Sequence, residues 1–499
     1  MSMIRIANLT FGYDGSYENV FDNVSFTIDS DWKLGLIGRN GKGKTTLLKL
    51  LMGKYEYNGS IVSNEEFDYF PFENADNEKT AYDIAEKHSP DIEQWKLDYE
   101  ISQLDMDQEV LTRPFKTLSK GEQTKVLLAI LFLRENNFLL IDEPTNHLDY
   151  KARISVANYL KRKKGFILVS HDRTFLDNCV DHILAINRSN IEIQQGNFST
   201  WYENKTRQDN YELAKNERLK KEISRLEQSA RQTAEWSDKV EQSKYHFRRD
   251  QFKDTGRIGH MAAKMMKRSI VTQNRKEKEI EEKNKLLKNL EEPEDLKLHL
   301  LSNRKGRLID AEKLSIFYGD KKVTNNISFY LEDGDRLQIK GKNGSGKSSI
   351  IKLILGEDIS YEGNLYKVGD LKISYISQDT SMLKGNLNDF TRENKIDDTL
   401  FKTILRKLDF SRELFDKNIE NYSEGQKKKV LIAKSLCEEA NIYIWDEPLN
   451  YIDIFSRMQI EDVILEYNPT MIFVEHDETF SKKIATKIID LTEQKVEVL

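Results

Sequence analysis

Two short glycine-rich stretches carry residues that can hold a nucleotide phosphate. The first runs from Gly38 to Thr46 and the second from Gly341 to Ser349, and each contains a lysine followed by hydroxyl residues. In such a loop the backbone N–H groups surround the phosphate, the lysine reaches its oxygens, and the first hydroxyl helps to hold Mg²⁺. Each stretch follows a strand-like apolar run and opens a helix-like one, which is the context that this chemistry needs. The sequence therefore predicts two phosphate-binding loops.

Acidic residues that could activate water end two other apolar runs. These pairs are Asp142-Glu143 and Asp446-Glu447. At the carboxyl end of a buried parallel strand, the aspartate can orient water on Mg²⁺ and the glutamate can polarise an attacking water. A solvated turn is the ordinary alternative for adjacent acids. Their position after Leu-Leu-Ile and Tyr-Ile-Trp favours a strand end that faces the phosphate loop.

The motifs of the first half recur in the second half at an almost constant separation. Equivalent residues are 303 to 305 positions apart, as in the pairs Lys44 and Lys347, Ser119 and Ser423, Asp142 and Asp446, and His171 and His476. A lone histidine at a strand end is usually structural, but this recurrence favours a functional role for His171 and His476. The preserved register predicts a duplication. We expect one α/β fold used twice, at 1–200 and 306–499.

Together these motifs resemble those of ATP-binding cassette (ABC) ATPases, in which two domains close head to tail. Ser119-Lys-Gly121-Glu122 and Ser423-Glu-Gly425-Gln426 are similar to the signature loop of that family. The resemblance implies ATP and Mg²⁺ as cofactors, ATP hydrolysis, and two composite sites, each built on the loop of one copy and the signature of the other.

The resemblance also implies a role for each matching residue. The ATP-binding residues would be Tyr13, Gly38, Asn40, Gly41, Gly43, Lys44, Thr45, Thr46, Ser119, Gly121, Glu122, Tyr318, Gly341, Asn343, Gly344, Gly346, Lys347, Ser348, Ser349, Ser423, Gly425 and Gln426. The metal-binding residues would be Thr45, Asp142, Ser348, Gln378 and Asp446, and the catalytic ones Glu143, Glu447, His171 and His476. Ordinary packing is the alternative for Tyr13 and Tyr318, which match the family's adenine-stacking aromatic.

One departure from the family pattern separates the two copies. Gln378 lies where the family carries a glutamine to the metal, but the first copy has Phe72 at that point. Because phenylalanine cannot coordinate Mg²⁺, we expect the two sites to be unequal. Lys120 and Glu424 also replace a small residue in the signatures, and Tyr422 replaces an apolar one.

The segment between the copies has the composition of long helices. No glycine occurs between Gly196 and Gly256, and apolar or small residues recur at 4-3-4-3 spacing through Leu219, Ile223, Leu226, Ala230 and Thr233. This spacing predicts a narrow helical seam. A second charged stretch follows at about 261–291. We therefore predict an antiparallel helical hairpin over 201–305, with a flexible charged linker as the alternative.

The predicted tip of this hairpin, 239–268, is basic although the chain as a whole has a net charge of −6. Nine basic residues stand there against three acidic ones. Cations and aromatic rings together are the pattern that looped or single-stranded RNA selects, and a solvated charged face is the alternative. The predicted RNA-binding residues are Lys244, Tyr245, His246, Phe247, Arg248, Arg249, Phe252, Lys253 and Arg257.

Two cassettes joined by such a hairpin look like the ABC-F family, whose members act on the ribosome. Within it the chain resembles the Lsa/Vga-type antibiotic-resistance proteins of Gram-positive bacteria, through 32–40, 125–128, 165–173, 234–237, 266–269 and 444–451. The resemblance implies a 70S ribosome partner, with the hairpin in the tRNA exit site near 23S rRNA and P-site tRNA. It also implies protection against lincosamides, pleuromutilins and group A streptogramins. A housekeeping ABC-F translation factor is the nearest alternative.

Composition limits the remaining function classes. The 499 residues are 38% hydrophobic and 32% charged, with no apolar run long enough to span a bilayer and no leader after Met1. Two cysteines indicate neither a disulfide framework nor a metal site. We therefore predict a cytoplasmic monomer without a membrane partner, which disfavours a transporter subunit. A DNA-directed ABC ATPase is disfavoured because no C-terminal coiled coil follows His476.

Overall fold

The computed structural model describes most of both copies and part of the segment between them. The described residues are 2–13, 19–72, 78–90, 93–134, 137–146, 148–187, 191–246, 264, 267, 271, 275, 296–302, 306–319, 321–342, 344–492 and 495–498. Between 230 and 246 the description covers the backbone and the side chain of Gln232. In this part of the chain, none of the helices combines the length and the apolar character that crossing a bilayer requires.

Within the described ranges the first copy has nine strands and the second copy has ten. Those of the first copy are β1 (Met3–Phe11), β2 (Phe21–Asp29), β3 (Lys33–Gly38), β4 (Asn58–Val62), β5 (Glu66–Phe70), β6 (Asn137–Asp142), β7 (Phe166–Val169), β8 (His182–Ile186) and β9 (Ile191–Gln195). Those of the second copy are β10 (Arg307–Tyr318), β11 (Lys321–Lys322), β12 (Ile327–Glu332), β13 (Arg336–Lys340), β14 (Ser360–Lys367), β15 (Ile373–Ile376), β16 (Ile442–Asp446), β17 (Met471–Val474), β18 (Lys487–Asp490) and β19 (Lys495–Val498).

Helices cover the sheets and join the strands. The first copy contributes α1 (Lys44–Leu51), α2 (Ala81–His88), α3 (Gln94–Gln103), α4 (Lys120–Leu131), α5 (Tyr150–Lys161) and α6 (Arg173–Cys179), and α7 (Phe198–His246) follows it. The second copy contributes α8 (Lys347–Leu355), α9 (Leu387–Glu393), α10 (Asp398–Lys407), α11 (Glu424–Cys437), α12 (Ile454–Tyr467) and α13 (Glu478–Ile484).

The two copies share one strand order. A six-stranded sheet runs β5-β6-β7-β3-β8-β9 in the first copy and β15-β16-β17-β13-β18-β19 in the second, and only its last strand is antiparallel. A smaller antiparallel sheet adds β2-β1-β4 in the first copy, and β11-β10-β12 with β14 on β10 in the second. This repetition confirms the predicted α/β fold used twice.

The parallel sheet is held by strands that are buried on both faces. All four residues of β7 are buried, and so are all four of β17. Such continuous apolar runs are typical of central parallel strands covered by helices. Leu34 of β3 packs in one core with Leu47 of α1 and Ile6 of β1, so this core joins the two sheets of the first copy. The carboxyl ends of β3, β6 and β7 therefore meet at one edge.

The segment after the first copy begins with one long helix. α7 contains 49 residues. The chain divides into two compact units: Met1–Trp201 with Pro293–Leu499 form the first, which holds both copies, and Tyr202–Glu292 form the second. Ile223 is buried and Leu219 and Leu226 are half-buried, as the predicted seam requires. Ala230 and Thr233 lie outside the described side chains. Of the predicted second helix, residues 264, 267, 271 and 275 are described, and they are helical.

Residues just before the predicted start of the second copy already belong to its core. Leu296 and Leu298 are buried in the same cluster as Phe401. The backbone N–H of Leu301 donates to the Ala440 carbonyl at 3.0 Å. The boundary between the two units therefore falls at Pro293, before the predicted boundary at 306. The predicted domain limits otherwise remain predictions.

Two glycines of the first phosphate loop allow a matched test of local packing. Gly43 and Gly41 both have positive φ, at 94° and 80°, so alanine strains either position by about 1–2 kcal/mol. A Cβ on Gly43 would lie 2.5 Å from Val20 Cγ1, whereas no described atom lies within 4 Å of one on Gly41. We expect Gly43→Ala to destabilise the protein by about 1–3 kcal/mol more than Gly41→Ala. Thermal unfolding measures this, and equal midpoints would contradict the packing argument.

Candidate functional site

Each phosphate-loop lysine is buried at the start of a helix. Lys44 begins α1 behind Gly43, and its ammonium donates to the Gly38 carbonyl at 2.7 Å. Lys347 begins α8, and its ammonium donates to the Gly341 carbonyl at 3.0 Å. Burial lowers the pKa of both lysines. A cation at a helix N-terminus, ringed by a glycine-rich backbone, is chemistry that suits a phosphate.

The two acidic pairs follow their strands in the same strained conformation. Glu143 and Glu447 have φ of 50° and 48°, and their backbone N–H groups donate to Val169 and Val474 at 2.9 and 3.0 Å. A non-glycine residue in this region costs about 1–3 kcal/mol and persists where its surroundings determine it. In this conformation a carboxylate oxygen of Glu143 lies 3.3 Å from Nε2 of His171.

The second copy repeats this pairing of glutamate and histidine. Nε2 of His476 lies 3.4 Å from a Glu447 carboxylate oxygen. The predicted catalytic residues therefore come together in pairs, one pair in each copy. Their catalytic roles remain predictions.

The oxygen ligands at each loop fit Mg²⁺. Thr45 Oγ1 donates to Asp142 Oδ2 at 3.0 Å, and Ser348 hydrogen-bonds Asp446 in the second copy. Asp446 Oδ1 is buried and has no partner in the described part of the chain. No described cluster of three His, Cys, Asp or Glu side chains could cage a metal without help. One hydroxyl and one carboxylate suit Mg²⁺, which takes its other ligands from water and phosphate and would neutralise phosphate charge when bound.

In the described part of the chain, two of the cavities between the copies each join a catalytic pair to the opposite signature loop. The larger, about 840 Å³, is lined by Ser119, Gly121 and Glu122 of the first copy and by Gln378, Glu447 and His476 of the second. The smaller, about 350 Å³, is lined by Asn40, Gly41, Glu143 and His171 together with Ser423, Gly425 and Gln426. This arrangement matches the head-to-tail pairing that the sequence predicts.

The signature residues have a local role that accounts for their spacing. The Ser119 hydroxyl accepts from the Glu122 N–H at 3.3 Å, and the Glu122 carboxylate accepts from the Ser119 N–H at 2.7 Å. Ser423 and Gln426 form the same reciprocal pair at the start of α11. This capping box satisfies N–H groups that the first helical turn cannot. It therefore fixes the end of each helix that faces the opposite copy.

Direct contacts close the interface beside the smaller cavity. Arg39 of the first loop forms an ion pair with Asp409 at 2.6 Å, and Asn40 donates to the Tyr451 carbonyl at 3.0 Å. The hydroxyls of Thr174 and Thr479, which are equivalent in the two copies, lie 2.8 Å apart. The cassettes therefore meet through both loops and helices.

The two glutamates have different surroundings. Glu447 accepts from Gln378 Nε2 and from Asn450 Nδ2, both at 2.8 Å. In the first copy Phe72 instead stacks on His88 at 4.8 Å, and no amide side chain among the described residues donates to Glu143. The sites are therefore unequal in geometry, as the sequence predicts.

The pKa values of the two glutamates differ in direction. Burial, with Asp142 beside it, raises the pKa of Glu143 to about 8. Burial opposes ionisation of Glu447 as well, but the hydrogen bond and charge of His476 hold its pKa below the usual value. The second copy therefore keeps its glutamate ionised, which is the form that can accept a proton from water.

The remaining predicted residues fall into three groups. Tyr13 and Tyr318 are 45% and 49% exposed, so a ring face is available in each copy, and Tyr13 Oη lies 2.7 Å from Thr46 Oγ1. Asn343 lies outside the described residues. Lys244, Tyr245 and His246 lie in the last turn of α7, whose side chains are not described. The other predicted RNA-binding residues also lie outside the described chain: Phe247, Arg248, Arg249, Phe252, Lys253 and Arg257.

The sequence predictions missed several residues of these sites. Tyr69 donates to Asp142 Oδ2 at 2.9 Å, beside Thr45. Arg39 was not predicted because its partner, Asp409, lies far along the chain and carries no motif. Asn450 could have been predicted from the sequence, because an asparagine follows each acidic pair at the same spacing, Asn146 in the first copy and Asn450 in the second.

A family model described as "ABC transporter" matches residues 21–146 and again 324–450. The chain belongs to the ABC transporter family. The two matched segments contain both phosphate-loop lysines and both acidic pairs. The protein is thus an ATPase with two tandem ABC domains.

Several curated relatives resemble this ABC protein over almost its whole length. The ribosome protection protein VmlR of Bacillus subtilis is 27% identical over 99% of this chain and 88% of its own. The ATP-binding protein Uup of Buchnera aphidicola is 28% identical over 98% of this chain and 80% of its own. The probable ATP-binding protein YheS of Escherichia coli is 26% identical over 96% of this chain and 77% of its own.

Solved structures share the fold of this ABC protein. The archaeal ribosome recycling factor aABCE1, solved in a complex with the archaeal ribosomal stalk protein aP1, has a TM-score of 0.62 and 19% identity. The match covers 97% of this chain and 87% of that one. A structure named RNase-L Inhibitor has a TM-score of 0.60 and 18% identity, with the same coverage. At such identities the likeness describes the fold alone.

Matched substitutions test whether the loop that carries Gln378 and the loop that carries Phe72 differ in function. Gln378→Ala removes a donor to Glu447, so we expect ATP turnover to fall by about tenfold or more. Phe72→Ala removes a ring that stacks on His88 and touches no catalytic group, so turnover should change by less than about twofold. Phosphate release from purified protein measures both. Equal losses would contradict the inequality of the sites.

Proposed function

We propose that this ATPase is an ABC-F protein that acts on the ribosome, where its middle segment contacts RNA. The full-length similarity to the ribosome protection protein VmlR carries the proposal, because the alignment spans 99% of this chain and therefore includes the middle segment. Similarity confined to the two cassettes would support ATP hydrolysis but would not support a target.

The long helix α7 is the element that suits such a target. Its 49 residues extend roughly 70 Å at 1.5 Å per residue. Along its first half most charged side chains are exposed, while Ile223 is buried. A helix of this length exceeds what a tether between two cassettes needs. We infer that it forms one arm of a hairpin over 201–305 with its tip at 239–268.

The proposed tip is the part that would touch RNA. Its basic residues include Arg248, Arg249 and Lys253, and its aromatic ones Tyr245 and Phe252. Basic side chains neutralise phosphates, while rings stack on unpaired bases. In the proposed complex the tip enters the tRNA exit site of the 70S ribosome and approaches 23S rRNA and P-site tRNA.

ATP would control this binding through the interface. Each ATP, held by Lys44 or Lys347, would add contacts to the signature serine of the other copy and so favour the closed form. Glu143 and Glu447 would polarise the attacking water, while His171 and His476 orient those carboxylates. Loss of the γ-phosphate removes the added contacts, and the protein can leave the ribosome.

Drug protection is the finer form of this proposal. We propose that tip insertion displaces or reshapes the sites of lincosamides, pleuromutilins and group A streptogramins, as in the Lsa/Vga group. The second candidate is a housekeeping translation factor in the cytoplasm. It is kept because Uup, which is named as an ATP-binding protein and not as a ribosome protection protein, is 28% identical over 98% of this chain.

Substitution of both proposed catalytic glutamates should trap the protein on ribosomes. With Glu143→Gln and Glu447→Gln, ATP still closes the interface but hydrolysis falls by about a hundredfold or more. Sedimentation should then recover the variant with ribosomes in ATP and not in ADP. Lys44→Ala with Lys347→Ala is the matched control, which should not bind in either nucleotide. A double glutamine variant that dissociates as fast as the wild type would refute the assigned acids.

Neutralising the tip should separate drug protection from ATP hydrolysis. Arg248→Ser with Arg249→Ser removes two phosphate contacts, so we expect drug tolerance to fall to that of cells without the gene while ATP turnover stays unchanged. Lys220→Ser with Lys221→Ser makes the same charge change on an exposed part of α7 and should retain tolerance. Growth at graded drug concentrations measures both. If the wild-type gene itself gives no tolerance, the housekeeping function is the better assignment.

A further inference from the structure

The second copy carries two buried charges where the first copy has small polar side chains. Lys428 lies at the position of Thr124 on the signature helix, and Glu475 lies at the position of Ser170, directly before the strand-end histidine. Lys428 and Glu475 are 3% and 5% exposed. Burying an ion is costly unless its partners compensate it, so a pair that appears in one copy alone needs a physical reason.

Lys428 binds the loop that carries Gln378. Its ammonium, on α11, donates to the Ser377 carbonyl at 2.9 Å. Ser377 directly precedes Gln378, whose amide donates to Glu447 at 2.8 Å. The lysine thereby holds the backbone from which a Glu447 donor projects.

Glu475 binds a second loop in the same manner. Its carboxylate accepts from the Leu449 backbone N–H at 2.8 Å. Leu449 directly precedes Asn450, whose amide also donates to Glu447 at 2.8 Å. Each buried charge therefore fixes the residue before an amide that contacts the same glutamate.

The equivalent side chains of the first copy do not make these contacts. Thr124 Oγ1 donates to the Lys120 carbonyl of its own helix at 3.0 Å. Ser170 Oγ lies 3.3 Å from Thr145 Oγ1 and accepts from the backbone N–H of Asp172 at 3.1 Å, so it does not bind the backbone of the loop after the acidic pair. Consistent with this, Phe72 stacks on His88 in that copy, and among the described residues no side-chain amide donates to Glu143.

We propose that Lys428 and Glu475 are positioning residues which hold Gln378 and Asn450 on Glu447, and that they make the composite site built on Lys347 the faster hydrolytic site. Among the described residues neither side chain hydrogen-bonds the Lys347 loop, and each one instead binds the residue before an amide that contacts Glu447. The two charges also compensate each other, because Glu475 is the strongest attraction that Lys428 experiences.

The charged groups around the pair support this balance. Glu447, Asp446 and Glu424 also attract Lys428, while Arg457, itself paired with Asp477 at 2.9 Å, attracts Glu475. Burial lowers the pKa of Lys428 and raises the pKa of Glu475 to about 7. Removing one member leaves the other with less compensation, so single and paired substitutions must be compared.

The test uses the full-length protein with Glu143→Gln. This substitution removes the proposed catalytic acid of the Lys44 site, so the ATP turnover that remains comes from the Lys347 site. In that background Lys428→Thr with Glu475→Ser installs the side chains of the first copy and removes both charges together. We expect kcat to fall by about tenfold or more, since a displaced catalytic group loses rate steeply, and KM for ATP to change by less than about threefold. An unchanged kcat, or a loss confined to KM, overturns the proposal.

A second pair of variants separates loop positioning from charge and from folding. Glu475→Gln keeps an oxygen that accepts from Leu449, whereas Glu475→Met has similar length and no such acceptor. Both remove the charge, so we expect kcat near the background for Gln and about tenfold lower for Met. Equal rates in the two variants overturn the proposal even if the paired variant fails to fold. Lys434→Met, on the same helix and paired with Glu438 at its surface, is the matched control and should leave kcat within about twofold.

Discussion

The attraction between each phosphate-loop lysine and an aspartate of the other copy links the two copies at their nucleotide sites. Asp453, which caps α12, is the strongest of the charges that favour the ionised form of Lys44, and Asp149, which caps α5, acts in the same sense on Lys347. The two aspartates are equivalent in the repeat, so the attraction is reciprocal. A lysine buried this deeply loses solvation that its own copy only partly replaces, and separation of the copies would leave it less compensated.

We expect this attraction to make the interface between the copies sensitive to nucleotide. A phosphate placed between a loop and the opposite signature adds negative charge where a buried cation already faces an aspartate. The phosphate would therefore strengthen the contacts of the loop. The N-terminus of the signature helix in the opposite copy must accommodate the phosphate, and the capping box of Ser119 or Ser423 holds that N-terminus in place. Because a ligand shifts a two-state equilibrium only through its different affinity for the two states, these cross-copy contacts are the physical basis that we propose for closure on ATP.

The sequence predicted the parts of the structure that rest on local chemistry. A strand, a glycine-rich turn and a helix N-terminus form one continuous unit, so the loop at Lys44 could be assigned from spacing alone, and its recurrence predicted the duplicated fold. Contacts between distant residues that belong to no motif could not be predicted: the ion pair of Arg39 with Asp409 joins residues that nothing in the sequence links. The sequence also did not predict that the core of the second copy begins at Leu296, because Leu296 and Leu298 alone form no periodic pattern.

Among the described residues, the contacts of the two proposed catalytic glutamates differ between the copies, whereas the contacts of the two phosphate-loop lysines with their own backbones do not. Lys44 and Lys347 make the same contacts with their own backbones, so the geometry for holding phosphate is preserved in both. Gln378 and Asn450 have no counterpart contacts on Glu143 among the described residues. Since hydrophobic packing of the parallel sheet does not involve these side chains, they could diverge without loss of the fold. With the unequal hydrolysis that we propose, the interface would stay closed on one nucleotide after the other has been hydrolysed, and the slower site would set how long the protein remains bound to its proposed target.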